Sequence, residues 1–286
     1  MRINNNISAM ITQSALYQTS QSLSKSLERL STGLRINRAS DDAAGLGVSE
    51  NLRTQVNGTA QASRNAQDGI AALNVAEGAA NEVSSILQRM RELAVQSAND
   101  TLTSTERGYT NSEYQALSNE IDRISKVTNY NRQELLSTTA NRFGQTGSVL
   151  WIDANHSVGV DSITVTIDTL TTGALKIGTF GVAAGAATYV SDQATAVTAI
   201  SALDIAINSV NTMRANIGAF VNRLEHAINN LNVSNTNQQA AESKIRDVDF
   251  ASETSNYTKN QILTQSATAM LAQANALPSS VLALFK

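Results

Sequence analysis

Two histidines are the chain's only side chains that ordinarily titrate near neutral pH, so they are the first candidates for acid–base catalysis. His156 lies in a short polar stretch, and His226 follows Leu224 and Glu225 in a long helical pattern. No His-Glu-x-x-His motif pairs either histidine for zinc, and the absence of cysteine removes thiolate ligands and cysteine nucleophiles. The chain also lacks a P-loop and a Gly-x-Ser-x-Gly nucleophile elbow. The sequence therefore predicts no enzyme, no metal site and no cofactor.

Two acidic clusters remain, and both have the pattern of helix caps. Asp41 and Asp42 stand between a turn and a helical pattern, and Asp247 and Asp249 precede the last helical pattern. A calcium loop needs further oxygen ligands and a glycine at fixed spacing, which are missing after Asp249. An aspartate at a helix N-cap accepts hydrogen bonds from the first free amides. We therefore expect a cap and turn at Asp41 and Asp42, and a cap from Asp249 or Asp247.

The composition limits the partners of the chain. Of its 286 residues, 42% are hydrophobic, only 4% are aromatic and 16% are charged, and the net charge is −3. No basic run offers a face for phosphate, so we expect no nucleic-acid partner. No segment approaches the roughly 18 consecutive apolar residues of a membrane span. The N-terminus lacks the apolar core of a secretory signal, so any export would use another route.

The elements that must position these residues are long helices with unusual ends. Up to Ser24 the only charged side chain is Arg2, and from Thr254 onward there are only Lys259 and Lys286. Apolar residues nevertheless repeat at alternating steps of three and four, as in a coiled-coil seam. We predict a self-assembly seam that comprises Leu16, Leu23, Leu27, Leu30, Leu263, Met270, Leu271, Leu277, Val281 and Leu284.

The fold class is predicted to be mainly α. Five helical segments are expected, at about 8–34, 43–99, 111–129, 194–244 and from Asp249 to the C-terminus. The second carries an apolar stripe from Ile70 to Met90. The fourth keeps its spacing from Ile200 to Leu231, with Arg214 either setting the register or extending from the edge. The N- and C-terminal halves should pack side by side as a coiled-coil rod.

One stretch in the middle of the chain changes period. Apolar and polar residues alternate strictly over 163–168, which predicts a half-buried strand, with 149–152 and 174–180 as partner strands. A small hairpin or three-stranded patch at about 141–190 follows. Trp151 is expected to anchor its core.

Seven longer runs of the sequence are specific: INNNISA at 3–9, LSTGLRIN at 30–37, ASDDAAGL at 39–46, QASRNAQDG at 61–69, QRMRELAVQ at 88–96, ESKIRD at 242–247 and AMLAQAN at 269–275. These runs resemble the N- and C-terminal regions of bacterial flagellins. The resemblance covers roughly residues 1–140 and 195–286.

The resemblance implies a structural subunit of the flagellar filament, which serves motility. Residues 1–40 and 247–286 would form an inner coiled-coil domain, and residues 41–246 an outer helical domain that includes the β region. The resemblance further implies type III export, an extracellular location, and partners that include an export chaperone, the cap and hook-junction proteins. The ends would fold only when neighbouring subunits complete each seam. A large variable outer domain is not expected.

Some flagellins are sensed by a vertebrate toll-like receptor, and the resemblance maps that contact onto Arg89, Leu93 and Glu113. Arg89 and Leu93 are four residues apart and would share one helix face. Alternatively, Leu93 contacts a neighbouring subunit and serves polymerisation.

Two other functions compete with the filament subunit. A hook–filament junction protein shares the terminal helices. A membrane-surface protein is less well supported, because amphipathic membrane helices usually carry Lys and Arg on the polar face.

Overall fold

The computed structural model describes residues 6–137, 147–155, 161–175, 177 and 190–283, with side chains described up to residue 276. By contacts it divides into two compact units, unit 1 from Met1–Gln55 and Thr236–Lys286, and unit 2 from Val56–Asn235. The elements in chain order are α1 (Ile7–Thr32), α2 (Ala43–Ser97), α3 (Ser104–Val127), β1 (Asn129–Tyr130), β2 (Gln133–Glu134), β3 (Ser148–Trp151), β4 (Ser162–Val165), α4 (Gln193–Arg246) and α5 (Phe250–Ala283).

All five predicted helices are present, and the largest difference lies at the start of α3. It begins at Ser104, about seven residues before the predicted start at Asn111. The side chain of Thr103 accepts from the amide of Glu106, and the Glu106 carboxylate accepts from the amide of Thr103. This reciprocal capping box satisfies two free amides and extends the helix by two turns.

Unit 2 is held together by one apolar core that α2, α3 and α4 build with the β segment. The predicted stripe on α2 is correct, since its members from Leu73 to Met90 are fully buried and Ile70 packs at the edge. On α4, Met213 occupies the core in place of Arg214. Arg214 instead reaches out to Glu77, with 3.8 Å between nitrogen and oxygen. The edge position of Arg214 is therefore the correct alternative.

The β structure of unit 2 consists of two small antiparallel hairpins. The predicted strands at 149–152 and 163–168 appear as β3 and β4, with Leu150 opposite Ile163. The third predicted strand is wrong where the structure describes it, because Ala174, Leu175 and Ile177 lie in turns. Its other residues, 176 and 178–180, lie outside the described residues.

The second hairpin, β1–β2, was not predicted. Asn131 and Arg132 form its turn with φ values of 50° and 62°. Left-handed values at both central residues are typical of a type I′ turn, which fits the twist of short hairpins.

The β3–β4 hairpin rests on α2 at two glycines. A Cβ added at Gly69 would stand 2.5 Å from Leu150 Cδ1, and one at Gly58 would stand 2.5 Å from Ala154 Cβ. Between them, Asn65 donates a hydrogen bond to the carbonyl of Trp151 at 3.2 Å. The expectation for Trp151 is wrong, because its side chain remains 37% exposed. Leu150, against Gly69, anchors the hairpin instead.

The core stripe of α4 gives the first prediction. Replacing Leu224, which is fully buried, by aspartate should destabilise unit 2 by at least about 3 kcal/mol, because an unpaired charge would be buried. Thermal unfolding followed by circular dichroism measures the loss. Val233→Asp places the same charge on an exposed position of α4 and should cost less than about 0.5 kcal/mol. Equal melting temperatures for the two variants would contradict this assignment of the core.

Candidate assembly site in the terminal helices

Helices α1 and α5 pack against each other along unit 1. Asn6 Nδ2 donates a hydrogen bond to the carbonyl of Ala274 at 2.8 Å. Toward the other end, Arg29 faces the buried Glu253, with 3.6 Å between nitrogen and oxygen. Residue numbers rise on α1 as they fall on α5, so the helices run antiparallel. We call α1 and α5 together the terminal pair.

The interface of the terminal pair is a heptad pattern of mostly small or polar residues. Steps alternate between three and four on both helices, as in a coiled coil. The half-buried or buried positions that follow these steps are Ala9, Thr12, Leu16, Thr19, Leu23, Ser26 and Leu30 on α1, and Glu253, Tyr257, Asn260, Thr264, Ala267, Leu271 and Ala274 on α5. Glu28 and Arg29 on α1 are half-buried as well.

The predicted seam residues divide between this interface and the surface. Leu16, Leu23, Leu30 and Leu271 lie in the interface. Leu27 is 55% exposed, because Ser26 takes the interface position.

On α5, Thr264 and Leu271 take the interface positions beside Ala267 and Ala274. Leu263 and Met270 are each one residue out of step and are 44% and 62% exposed. The side chains of Leu277 and Val281, and all of Leu284, lie outside the described residues.

The terminal pair therefore exposes a second set of large apolar side chains, which we call the outer apolar set. Leucine spacing alone did not reveal most of them. A comparison of two adjacent stripes on each helix would have revealed these side chains, because each helix has more large apolar residues than one stripe can contain. The set comprises Ile7, Met10, Ile11, Tyr17, Leu27, Ile262, Leu263 and Met270.

Two connections, α1 to α2 and α4 to α5, hold the base of the terminal pair. Gly33 caps α1 in the left-handed conformation at φ 73°. Its carbonyl accepts from the amide of Val248 at 3.0 Å, and the amide of Arg35 donates to the carbonyl of Arg246 at 2.7 Å. The Arg35 guanidinium adds a bond to the carbonyl of Ile245 at 2.6 Å. The two connections are thus joined as a short antiparallel bridge.

The acidic clusters cap helices at this base, as predicted. Asp42 accepts from the amide of Gly45 at 2.8 Å, and Asp249 accepts from the amide of Ala251 at 3.0 Å. Asp41 forms the turn, where its carboxylate lies 2.7 Å from Lys25 Nζ and accepts from the amides of residues 37 and 38. The bond from Lys25 is the main cause that lowers the pKa of Asp41 to about 2.

The three residues mapped to a receptor contact lie in unit 2, and only two are on its surface. Arg89 on α2 donates to Glu113 on α3 at 2.8 Å and to Glu92 at 3.0 Å. Hydrogen bonds to Glu113 first, and then to Glu92, raise the pKa of the Arg89 guanidinium. Leu93 is only 2% exposed and belongs to the core. Its side chain is therefore buried in unit 2.

No other chemistry emerges from the described part of the chain. It contains no cluster of three or more His, Cys, Asp or Glu side chains that could hold a metal. Within it, no helix has the length and apolarity needed to cross a membrane. His226 is exposed on α4, and His156 lies outside the described residues.

Comparisons with known proteins agree with this architecture. Residues 3–141 match the model of the bacterial flagellin N-terminal helical region, and residues 200–285 match that of the C-terminal helical region. The chain is 45% identical to the flagellar filament 33 kDa core protein of Treponema phagedenis over 288 aligned positions, which cover all of both chains. The chain belongs to the bacterial flagellins.

Other flagellins and one solved structure extend the comparison. A flagellin of Bacillus subtilis is 44% identical, again over the full length of both chains. A structure from Vibrio parahaemolyticus described as a flagellar hook-associated protein is similar in fold, with a TM-score of 0.56 and 18% identity. It matches 72% of this flagellin and 100% of the other chain.

Family membership confirms two expectations from the sequence. Flagellins are structural filament proteins, so this flagellin is not an enzyme. Full-length alignment with the T. phagedenis protein leaves no large extra domain in the middle of the chain.

The turn at Asp41 gives the second prediction. Because its pKa is about 2 in the folded chain and ordinarily 3.8, its contribution to stability is present above pH 3.8 and lost as the pH falls through 2. An NMR titration of the Asp41 carboxyl group should give a midpoint near pH 2. Asp41→Asn should reduce the acid-induced loss of helix between about pH 4 and pH 2.

Asp100→Asn is the matched control, since it removes a highly exposed carboxylate of unit 2. An Asp41 midpoint near its ordinary 3.8 would contradict the role of Lys25.

Proposed function

We propose that the chain polymerises through its terminal pair into the extracellular filament of the bacterial flagellum, as the structural subunit that serves motility. One observation carries the proposal: the terminal pair uses mostly small and polar residues for its own interface and leaves the outer apolar set exposed. Several large apolar side chains that are exposed together on one helix pair indicate an interaction site. Because the chain belongs to the flagellins, we infer that neighbouring copies of the same chain bind this surface.

The free energy gained by burying apolar side chains favours the binding of neighbouring copies to the outer apolar set. Complete burial of a large apolar side chain stabilises by about 1.5–3 kcal/mol. Side chains that are 44–66% exposed, as in the outer apolar set, therefore retain on the order of 1 kcal/mol each that burial by a neighbour would release. The outer apolar set has eight such members, so several neighbours could together offset the entropy of ordering two long helices.

The proposed role also implies a division into two domains and a set of partners. Residues 1–40 and 247–286 would form the inner coiled-coil domain and residues 41–246 the outer domain. An export chaperone, the type III apparatus, the cap and hook-junction proteins would be the partners before and during assembly. Family membership and the apolar repeats at both ends of the chain, Leu16 to Leu30 and Leu263 to Leu284, support these assignments.

A junction protein between hook and filament is the alternative. Full-length identity of 44–45% to filament proteins favours the filament subunit. Quantification of the chain in sheared filaments separates the two: a filament subunit is abundant along the whole length, and a junction protein is present only at one end.

Seeded growth tests the proposed assembly. Short filament seeds are added to purified monomer, and elongation is followed by electron microscopy with circular dichroism alongside. Leu263→Asp should abolish elongation and leave the melting of unit 2 unchanged, because the exposed leucine contributes to no core within one chain. Leu263→Met keeps an apolar side chain of similar volume and should elongate like the wild type.

Normal elongation of Leu263→Asp would contradict the role of the outer apolar set. Early melting of unit 2 in that variant would contradict the proposal that the outer apolar set serves assembly and does not stabilise unit 2.

We further propose that the surface around Arg89 and Glu113 is a contact for a toll-like innate receptor. Both side chains are about half exposed and hydrogen-bonded to each other, so they present one polar patch across α2 and α3. Leu93 would act only by packing beneath this patch, since its side chain is buried.

Receptor-reporter cells treated with monomer test this contact. Arg89→Ala and Glu113→Ala should each lower activation about tenfold or more, because loss of a charged hydrogen-bond partner costs about 1.5–3 kcal/mol. Arg123→Ala is the matched control, since it breaks a similar exposed pair with Glu120 on α3. Equal activation by all three variants would exclude the patch as the contact.

A further inference from the structure

The methionines of the chain fall into two classes. There are five in the sequence. Met90 and Met213 are fully buried in the core of unit 2, whereas Met10 and Met270 are 64% and 62% exposed. Met1 lies outside the described residues. Exposure is the main condition for oxidation of a thioether, so the two classes should differ sharply in reactivity.

The two exposed methionines lie at the same level of the terminal pair. Asn6 and Ala274 are joined by a hydrogen bond, and Met10 and Met270 each stand four residues inward from one of them. Four residues make about one helical turn, and the helices are antiparallel. A single short section of the pair therefore carries both sulfur atoms.

Both side chains continue strips of the outer apolar set. Met10 is three residues after Ile7 and seven before Tyr17, and Met270 is seven after Leu263, so these side chains share helix faces. A change of polarity at either sulfur would therefore reduce the apolar surface of that helix face. This step of the argument rests on the proposed function, in which neighbouring copies cover these strips.

We propose that Met10 and Met270 are oxidation sites through which peroxide stops subunit addition. Hydrogen peroxide transfers one oxygen atom to the thioether sulfur: the O–O bond breaks, an S–O bond forms and water leaves. The sulfur is oxidised by two electrons and the peroxide is reduced. The product, methionine sulfoxide, is polar and chiral, and methionine sulfoxide reductases reverse it.

The sulfoxide acts on assembly and leaves the folding of unit 2 intact. A sulfoxide oxygen that a neighbour buries without a donor loses its hydrogen bonds to water, which makes docking less favourable. In the monomer the same oxygen remains in water, so the isolated chain tolerates it. Subunits already in a filament would be protected, because their neighbours cover both sulfur atoms.

Peptide mass spectrometry after mild treatment with hydrogen peroxide tests the sites themselves. In the full-length monomer we expect oxidation at Met10 and Met270, with Met90 and Met213 protected. In assembled filaments all four should be protected. Oxidation of Met90 or Met213 at the rate of Met10 and Met270, or equal oxidation of the latter two in monomer and filament, would overturn the proposal.

Seeded elongation tests the consequence. Peroxide-treated monomer should elongate seeds at least about tenfold more slowly than untreated monomer. This factor is the cost of burying one sulfoxide oxygen that has no hydrogen-bond partner. Treatment with both methionine sulfoxide reductases should restore elongation of the same unmutated protein. The double variant Met10→Leu with Met270→Leu should elongate normally after peroxide, since leucine is apolar, similar in volume and not oxidised.

Each outcome separates the two proposals. Failure of untreated wild-type monomer to elongate overturns the proposed function. Normal elongation of monomer with Met10 and Met270 oxidised overturns the present inference and leaves the proposed function standing. Equal peroxide sensitivity of the leucine variant and the wild type, or no recovery with the reductases, also overturns the inference.

Discussion

The organisation of this flagellin depends on how little the terminal pair can bury by itself. Among the described side chains of the terminal pair, only Ser26 on α1 and Glu253 and Ala274 on α5 are buried. Long helices in water need an apolar face packed against a partner, since helix propensity alone gives marginal stability. In unit 2 the same requirement is met within one chain by leucine, valine and methionine side chains of α2 and α4. The two units thus use the same coiled-coil spacing with opposite choices of residue size.

The bridge at the base of the terminal pair sets the register of this weak interface. The carbonyl of Gly33, which ends α1, accepts a hydrogen bond from the amide of Val248 just before α5 begins, so the end of α1 and the start of α5 are joined at one point. Arg246 adds an ion pair to Glu50 at 2.6 Å, which ties the end of α4 to the first turns of α2 within unit 1. Correct register between α1 and α5 is therefore imposed at the base and does not require large side chains along the interface.

Sequence patterns predicted the helices and the core stripes well because large apolar residues mark them directly. The interface stripe of α5 was harder to predict, because two candidate stripes that are one residue apart both contain Ala267 and Ala274. The prediction included Leu263 and Met270 as well as Leu271, whereas the interface uses Thr264 and Leu271. The antiparallel partner decides between such stripes, and its position is a tertiary property.

Other differences have similarly local causes. Strands of two residues, such as β1 and β2, are too short to show a period. The capping box of Thr103 and Glu106 was readable in the sequence and would have placed the start of α3 correctly. Arg89 and Leu93, four residues apart, are about 40° apart around α2, and the edge of the core passes between them. Spacing alone cannot locate that edge.

The scarcity of charge in the terminal helices has a consequence for the solvent in which filaments form. Coulomb attraction between exposed ions weakens within about one Debye length, roughly 8 Å at physiological ionic strength. In the proposed assembly, contacts at the outer apolar set would involve few such ions, so changes in simple salt should affect them little. Ions that are excluded from protein surfaces, such as sulfate, strengthen apolar burial. A surface of this kind would let a polymer outside the cell keep the same subunit contacts as the salinity of its surroundings changes.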